Sequence, residues 1–170
     1  MRQPGIASLH AITFTNAAHY AFQHCHDEET RKLLLLQNAA FLPLYRRDSK
    51  DKGLHIDTLE PVATKNSGAG AVEEIFADVS KDKLTAARKI LAHLNDNPDP
   101  KPIADAARRL IFLKGRDSHD YKFSSAVLED YAQMAPATRD RFLAASVFYL
   151  RGTGDKDNEL VARTRTALSA

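Results

Sequence analysis

Four side chains in this sequence are of the types, and at the positions, that suit acid/base chemistry: His10, His119, Asp120 and Lys122. At 100° per residue, His10 falls near the centre of an arc of the first helical stretch that also holds Leu9, Phe14, Ala17 and Ala21. Two readings of it stand side by side. Buried polar groups are normally hydrogen-bonded, so His10 is either a core histidine satisfied by a carbonyl or hydroxyl, or a pocket-facing base that burial keeps neutral and ready to accept a proton. On the stretch Ser118 to Met134, Asp120 and Ser124 share the apolar arc with Phe123, Val127, Leu128 and Tyr131. His119 lies at the edge of that arc and Lys122 on the polar side. Asp120 at the third position after a cap at Asp117 favours the positive end of its helix. If Asp120 or His119 instead meets His10 across the core, it orients the imidazole for proton transfer.

The neighbouring His24, Cys25 and His26 are not expected to form a metal site, because helical positions two apart diverge by about 200°. The GxG sequences at Gly68 and Gly152 follow no strand, so they are not read as nucleotide loops.

The elements that carry these residues are helical by period. A first helix is read from Gly5 to His24. Asp27 caps a second, over residues 28–45, in which Leu33 to Leu44, LLLLQNAAFLPL, is apolar in almost every direction. Such a helix belongs inside a core and is too short to cross a bilayer, so the remaining segments are expected to wrap it. On that reading Leu36→Ala costs roughly 2 to 5 kcal/mol. Residues 46–70 form a long polar loop, either a lid or unstructured. Ala71 to Val79 is read as a short helix, and Ser80 as the cap of Lys81 to Leu94. Asp99 and Pro100 start the next helix, whose apolar stripe runs from Ile103 to Leu113 and whose end at Gly115 suits a left-handed residue. Pro136 opens a helix through Leu150, and Asp155 caps the last, with Leu160, Val161 and Leu168 facing inward. No stretch alternates with period two for long enough to make a sheet. The expected fold is therefore all-α, a single-domain bundle of about seven helices spanning residues 1–170 around the central apolar helix at 28–45.

Composition narrows the partners. A formal charge of +2, from 24 basic and 22 acidic residues, makes no single-sign field for nucleic acid or an anionic membrane. No stretch of 18 consecutive apolar residues occurs, and the first twenty residues do not read as a signal peptide. Cys25 is the only cysteine, which excludes an intrachain disulfide and suits a reducing, cytoplasmic setting.

The segments SLHAITFTNAAHYAF, Ser8 to Phe22, and RDSHDYKFSSAVLEDYA, Arg116 to Ala132, resemble the questin oxidase-like family. Its helical proteins carry a HAxTxxxA stretch, matched by His10, Ala11, Thr13 and Ala17, and a later His-x-x-Lys stretch, matched by His119 and Lys122. The resemblance covers something like the C-terminal half of those longer proteins. It implies an oxidoreductase that inserts oxygen into a ring ketone of a polycyclic quinone, a Baeyer-Villiger-type monooxygenase with NADPH as reductant. The alternative is a non-catalytic helical module that binds a hydrophobic small molecule or a protein, since fold does not fix function. The enzyme reading requires His10 and His119 to face one enclosed apolar cavity with the 46–70 loop near its mouth. The module reading requires them apart, and an exposed apolar face.

Overall fold

A computed structural model describes residues 6–46 and 55–169. Among them are eight α-helices and one 3₁₀ turn, with no strand. The helices are α1 (Ile6–His24), α2 (Glu28–Phe41), α3 (Gly68–Val79), α4 (Lys83–Asp96), α5 (Lys101–Lys114), α6 (Ser118–Gln133), α7 (Pro136–Ser146) and α8 (Glu159–Leu168), and the 3₁₀ turn, Leu42–Arg46, follows α2.

Side-chain caps set four of the eight starts. Asp27 accepts Thr30 N–H at 2.7 Å, and Asp117 accepts His119 N–H at 2.8 Å, as the sequence led one to expect. Two expected caps serve elsewhere. Asp82, not Ser80, caps α4, accepting from Leu84 and Thr85 at 3.0 and 3.3 Å, while the Ser80 hydroxyl takes the Gly154 N–H at 3.0 Å. Asn158, not Asp155, caps α8, and the Asp155 carboxylate accepts Gly152 N–H. Gly115 is not left-handed either, with φ at −66°. It is small because a Cβ there would lie 2.6 Å from the Ile111 carbonyl oxygen.

The core is built on α3 and α4. Ile75, Phe76 and Val79 of α3 and Ala86, Ala87 and Ile90 of α4 are buried with Ile103, Phe123, Val127, Leu143 and Val147 from the helices that follow. α7 packs on α4, α5 packs on α3, and α6 joins α5, α7 and α1. The expected central helix is at the edge instead. No residue of α2 is buried, and Leu33, Leu35 and Leu36 are 58, 56 and 66 % exposed. Among the described residues α2 packs mainly on α1 and its own 3₁₀ turn. The physical reason is coverage: a helix apolar all round gains little from a single neighbour, whereas α3 puts its apolar residues on one stripe that two neighbours cover completely. The inward face expected for the last helix is likewise absent, since Leu160 and Leu168 are 65 and 85 % exposed.

The expected loop at 46–70 ends at Gly68, where α3 begins. Residues 47–54 lie outside the described residues. Residues 55–67 form a strap tied to the core. Arg141 Nη1 donates to the carbonyls of Ile56 and Leu59 at 2.8 and 3.1 Å, Arg88 Nε donates to the Glu60 carbonyl at 2.9 Å, and Leu59 is buried. The Glu74 carboxylate accepts the N–H groups of Lys65 and Asn66 and meets the Lys89 ammonium at 2.6 Å. That ammonium, with burial opposing it and the two amides helping, brings the Glu74 carboxyl down to about 2. Polar composition thus concealed a segment held by its backbone carbonyls.

Candidate ligand cleft between α1 and α6

α1 lies across α6, with Leu9 as its one buried residue. The Asn16 amide pins the crossing, donating to Asp130 Oδ1 at 2.9 Å and Glu129 Oε2 at 3.3 Å. Thr13 turns its hydroxyl back to the Leu9 carbonyl at 3.2 Å, which keeps that donor on its own helix.

On one flank of the crossing is an open cleft of about 510 Å³, lined by His10, Phe14, Tyr45, Lys122, Ser125 and Glu129 among others. His10 is exposed there. The expectation of a core histidine is therefore corrected: the side of α1 turned to α6 runs through Leu9, Ile12 and Asn16, so the arc that holds His10 borders solvent. The His10 and His119 rings meet edge to face, centroids 5.5 Å apart at 76°.

Asp120 does not join them. Arg151 Nη2 donates to its two oxygens at 2.9 and 2.7 Å, and Arg116 N–H donates to it at 2.8 Å, so it ties the start of α6 to the segment after α7. The carboxylate beside His119 belongs to the helix cap: Asp117 Oδ1 lies 3.4 Å from His119 Nδ1. Backbone amides, His119 N–H first, hold the Asp117 carboxyl below its usual value. The structure thus brings together His10, His119 and Lys122 around one cleft edge and separates Asp120 from it.

Sequence reasoning missed Asn16, Glu129, Tyr45 and the second use of Asp117. The signal for Asn16 was the Glu129–Asp130 pair interrupting an apolar helix stripe. Tyr45 reaches the cleft from the 3₁₀ turn, where helical periodicity says nothing about direction.

Chemically, the flank offers the His10 imidazole, an ammonium and a carboxylate to one open, partly aromatic surface, with the His119 ring against His10. It suits holding a planar molecule by its face and a carbonyl oxygen by hydrogen-bond donors. None of residues 55–67 lines it, so the lid expected of the loop is not formed by that half. Among the described residues no group of three or more His, Cys, Asp or Glu side chains is arranged to hold a metal ion. His24 instead faces the Tyr20 carbonyl, Nδ1 at 2.8 Å, and Cys25 the Asp27 carbonyl. No helix among the described residues is long and apolar enough to cross a membrane. Compared with known protein families, curated proteins and solved structures, the chain matches none.

Proposed function

We propose that the chain binds a polycyclic aromatic ketone or quinone in the α1–α6 cleft and acts on it as a Baeyer-Villiger-type oxidoreductase of the questin oxidase-like kind. The observation that supports this reading is the 5.5 Å contact between His10 and His119, with Lys122 lining the same cleft as His10. A planar ring system lies against Phe14 and Tyr45 and turns its carbonyl oxygen to the His10 imidazole and the Lys122 ammonium. Both are donors that strengthen as negative charge grows on that oxygen. His119 positions His10 through the ring contact, and Asp117 positions His119. One atom of dioxygen enters the ring carbon–carbon bond beside the carbonyl and the other leaves as water, with NADPH supplying a hydride and solvent a proton. The near-balanced charge and single cysteine support a reducing, cytoplasmic setting without a nucleic-acid partner.

The test is titration of an anthraquinone and an anthrone into the wild type, His10→Gln and Lys122→Met, with NADPH oxidation followed under air. Because His10 is exposed, its replacement should change stability by less than about 0.5 kcal/mol, so a loss of binding reads on the site. Each variant is expected to lose about tenfold in affinity. A wild type that binds neither compound sinks this reading.

The second reading, a non-catalytic binding module, has its own support in the uncovered leucines of α2. It predicts that His10→Gln has no functional effect and that Leu33 and Leu36 together govern association.

A further inference from the structure

The α1–α6 crossing has a second flank. On the side of α1 away from His10, Ala11 and Ile12 face Leu42 of the 3₁₀ turn, Met134 at the end of α6 and Phe142 of α7 around a cavity of about 400 Å³, within the range of small-molecule sites. Its wall carries one carboxyl group, that of Asp130. Asp130 is half-buried, and the Asn16 amide, at 2.9 Å, is its hydrogen-bond donor. No lysine or arginine among the described residues pairs with it. Burial pushes its carboxyl above the usual value, against the pull of the Asn16 amide and His19, with Glu129 adding to the rise.

A carboxylate has roughly four acceptor directions, and the single Asn16 donor leaves most of them unused. Asp130 also sits in the last turn of α6, where the backbone carbonyls gather partial negative charge. Among the described residues no lysine or arginine lines this wall, and His19 is its one basic side chain. An ammonium group restores the stabilisation that burial removes from the carboxylate, by a charge-assisted hydrogen bond. An anion meets the Asp130 carboxylate and is repelled. Thr15, His19 and Gln133 complete the wall, and Ile12, Leu42, Met134 and Phe142 offer its apolar surface to an apolar body.

We infer that this second cavity is a binding site for a hydrophobic amine, its ammonium on Asp130 and its apolar body against Ile12, Leu42 and Phe142. The site is independent of the ketone cleft. The Asn16 side chain, bonded to Glu129 on one flank and Asp130 on the other, stands between them.

The test is calorimetric titration of the full chain with 2-phenylethylamine, 2-phenylethanol and phenylacetate, one apolar body with three polar ends. The amine should bind about tenfold or more tighter than the alcohol, and phenylacetate should not bind. Asp130→Asn keeps an acceptor for Asn16 and should bring the amine down to the level of the alcohol. Ala11→Phe, which fills the cavity from an already half-exposed position, should abolish binding of both, and thermal melting of each variant shows that it is folded. His10→Gln should leave amine binding unchanged, and anthraquinone should not displace the amine, so failure of the ketone reading and failure of this one register in different titrations. Equal binding of amine and alcohol by the wild type overturns the inference. So does an amine preference that survives in Asp130→Asn, or one lost in His10→Gln.

Discussion

α2 and α3 are of similar length and opposite fate. α2 contains four consecutive leucines, Leu33 to Leu36, and buries no residue; α3, GAGAVEEIFADV, is interrupted by two glutamates and an aspartate and buries Ala71, Val72, Ile75, Phe76 and Val79. The difference is angular. The α3 residues fall on one stripe, which α4 and α5 cover, while four consecutive leucines point in four directions and α1 covers about one of them, Leu34. Hydrophobic stabilisation scales with apolar area removed from water, so distribution around the helix outweighs content along it.

The strongest way to break this comparison is to delete one side chain from each helix. Phe76→Ala, at 1 % exposure, should cost about 3 to 5 kcal/mol in denaturant unfolding, from lost transfer energy and the cavity left behind. The next effect comes from the tie between α3 and the segment after α7. A Cβ at Gly152 would lie 2.1 Å from Ser80 Oγ and 2.7 Å from the Phe76 carbonyl oxygen, so Gly152→Ala should cost about 1 to 3 kcal/mol by forcing the two apart.

A third prediction sharpens the contrast through pH. Glu74 of α3 is held at about 2 instead of the ordinary 4.5, chiefly by the Lys89 ammonium. A depressed carboxylate stabilises the fold fully above its unfolded value and less as pH falls through the folded one, so this contribution should fade between pH 4.5 and about 2. Thermal melts across that window should show Glu74→Gln with a shallower acid slope than the wild type, and a slope unchanged by the substitution would remove Glu74 from the account. Limited trypsin digestion gives a related check, since Lys65 N–H is held by Glu74 and cleavage after Lys65 should accelerate in the same variant.

The smallest effect closes the pair. Leu36→Ala in α2 should cost less than about 0.5 kcal/mol, because a side chain 66 % exposed has little area to lose. A cost near that of Phe76→Ala would mean that α2 is covered in solution.

The candidate site divides along the same line. His10, His119 and Lys122 were legible because residue type and position within a helix are written locally, and the crossing of α1 over α6 brought them to one flank. For Asp120 the sequence allows a role at the helix start or a meeting with His10; its bond to the Arg116 amide matches the first, while its partner Arg151, 31 residues away and after α7, was not legible. The carboxylate that does stand beside His119 had already been identified as a cap, and nothing about a cap announces a second neighbour.

What the sequence by itself determined was that the chain is helical and roughly where its helices begin. Asp27 and Asp117 as caps, Pro136 as a first-turn residue and the lack of period-two alternation act within four residues of themselves, a range over which no tertiary contact is needed. Only the tertiary structure decided which apolar residues form the core, which carboxylate meets which cation and that Asn16 joins α1 to Glu129 and Asp130. Those outcomes depend on how helices far apart in the chain cross, and a helix supplies its faces without specifying which of them another helix will cover.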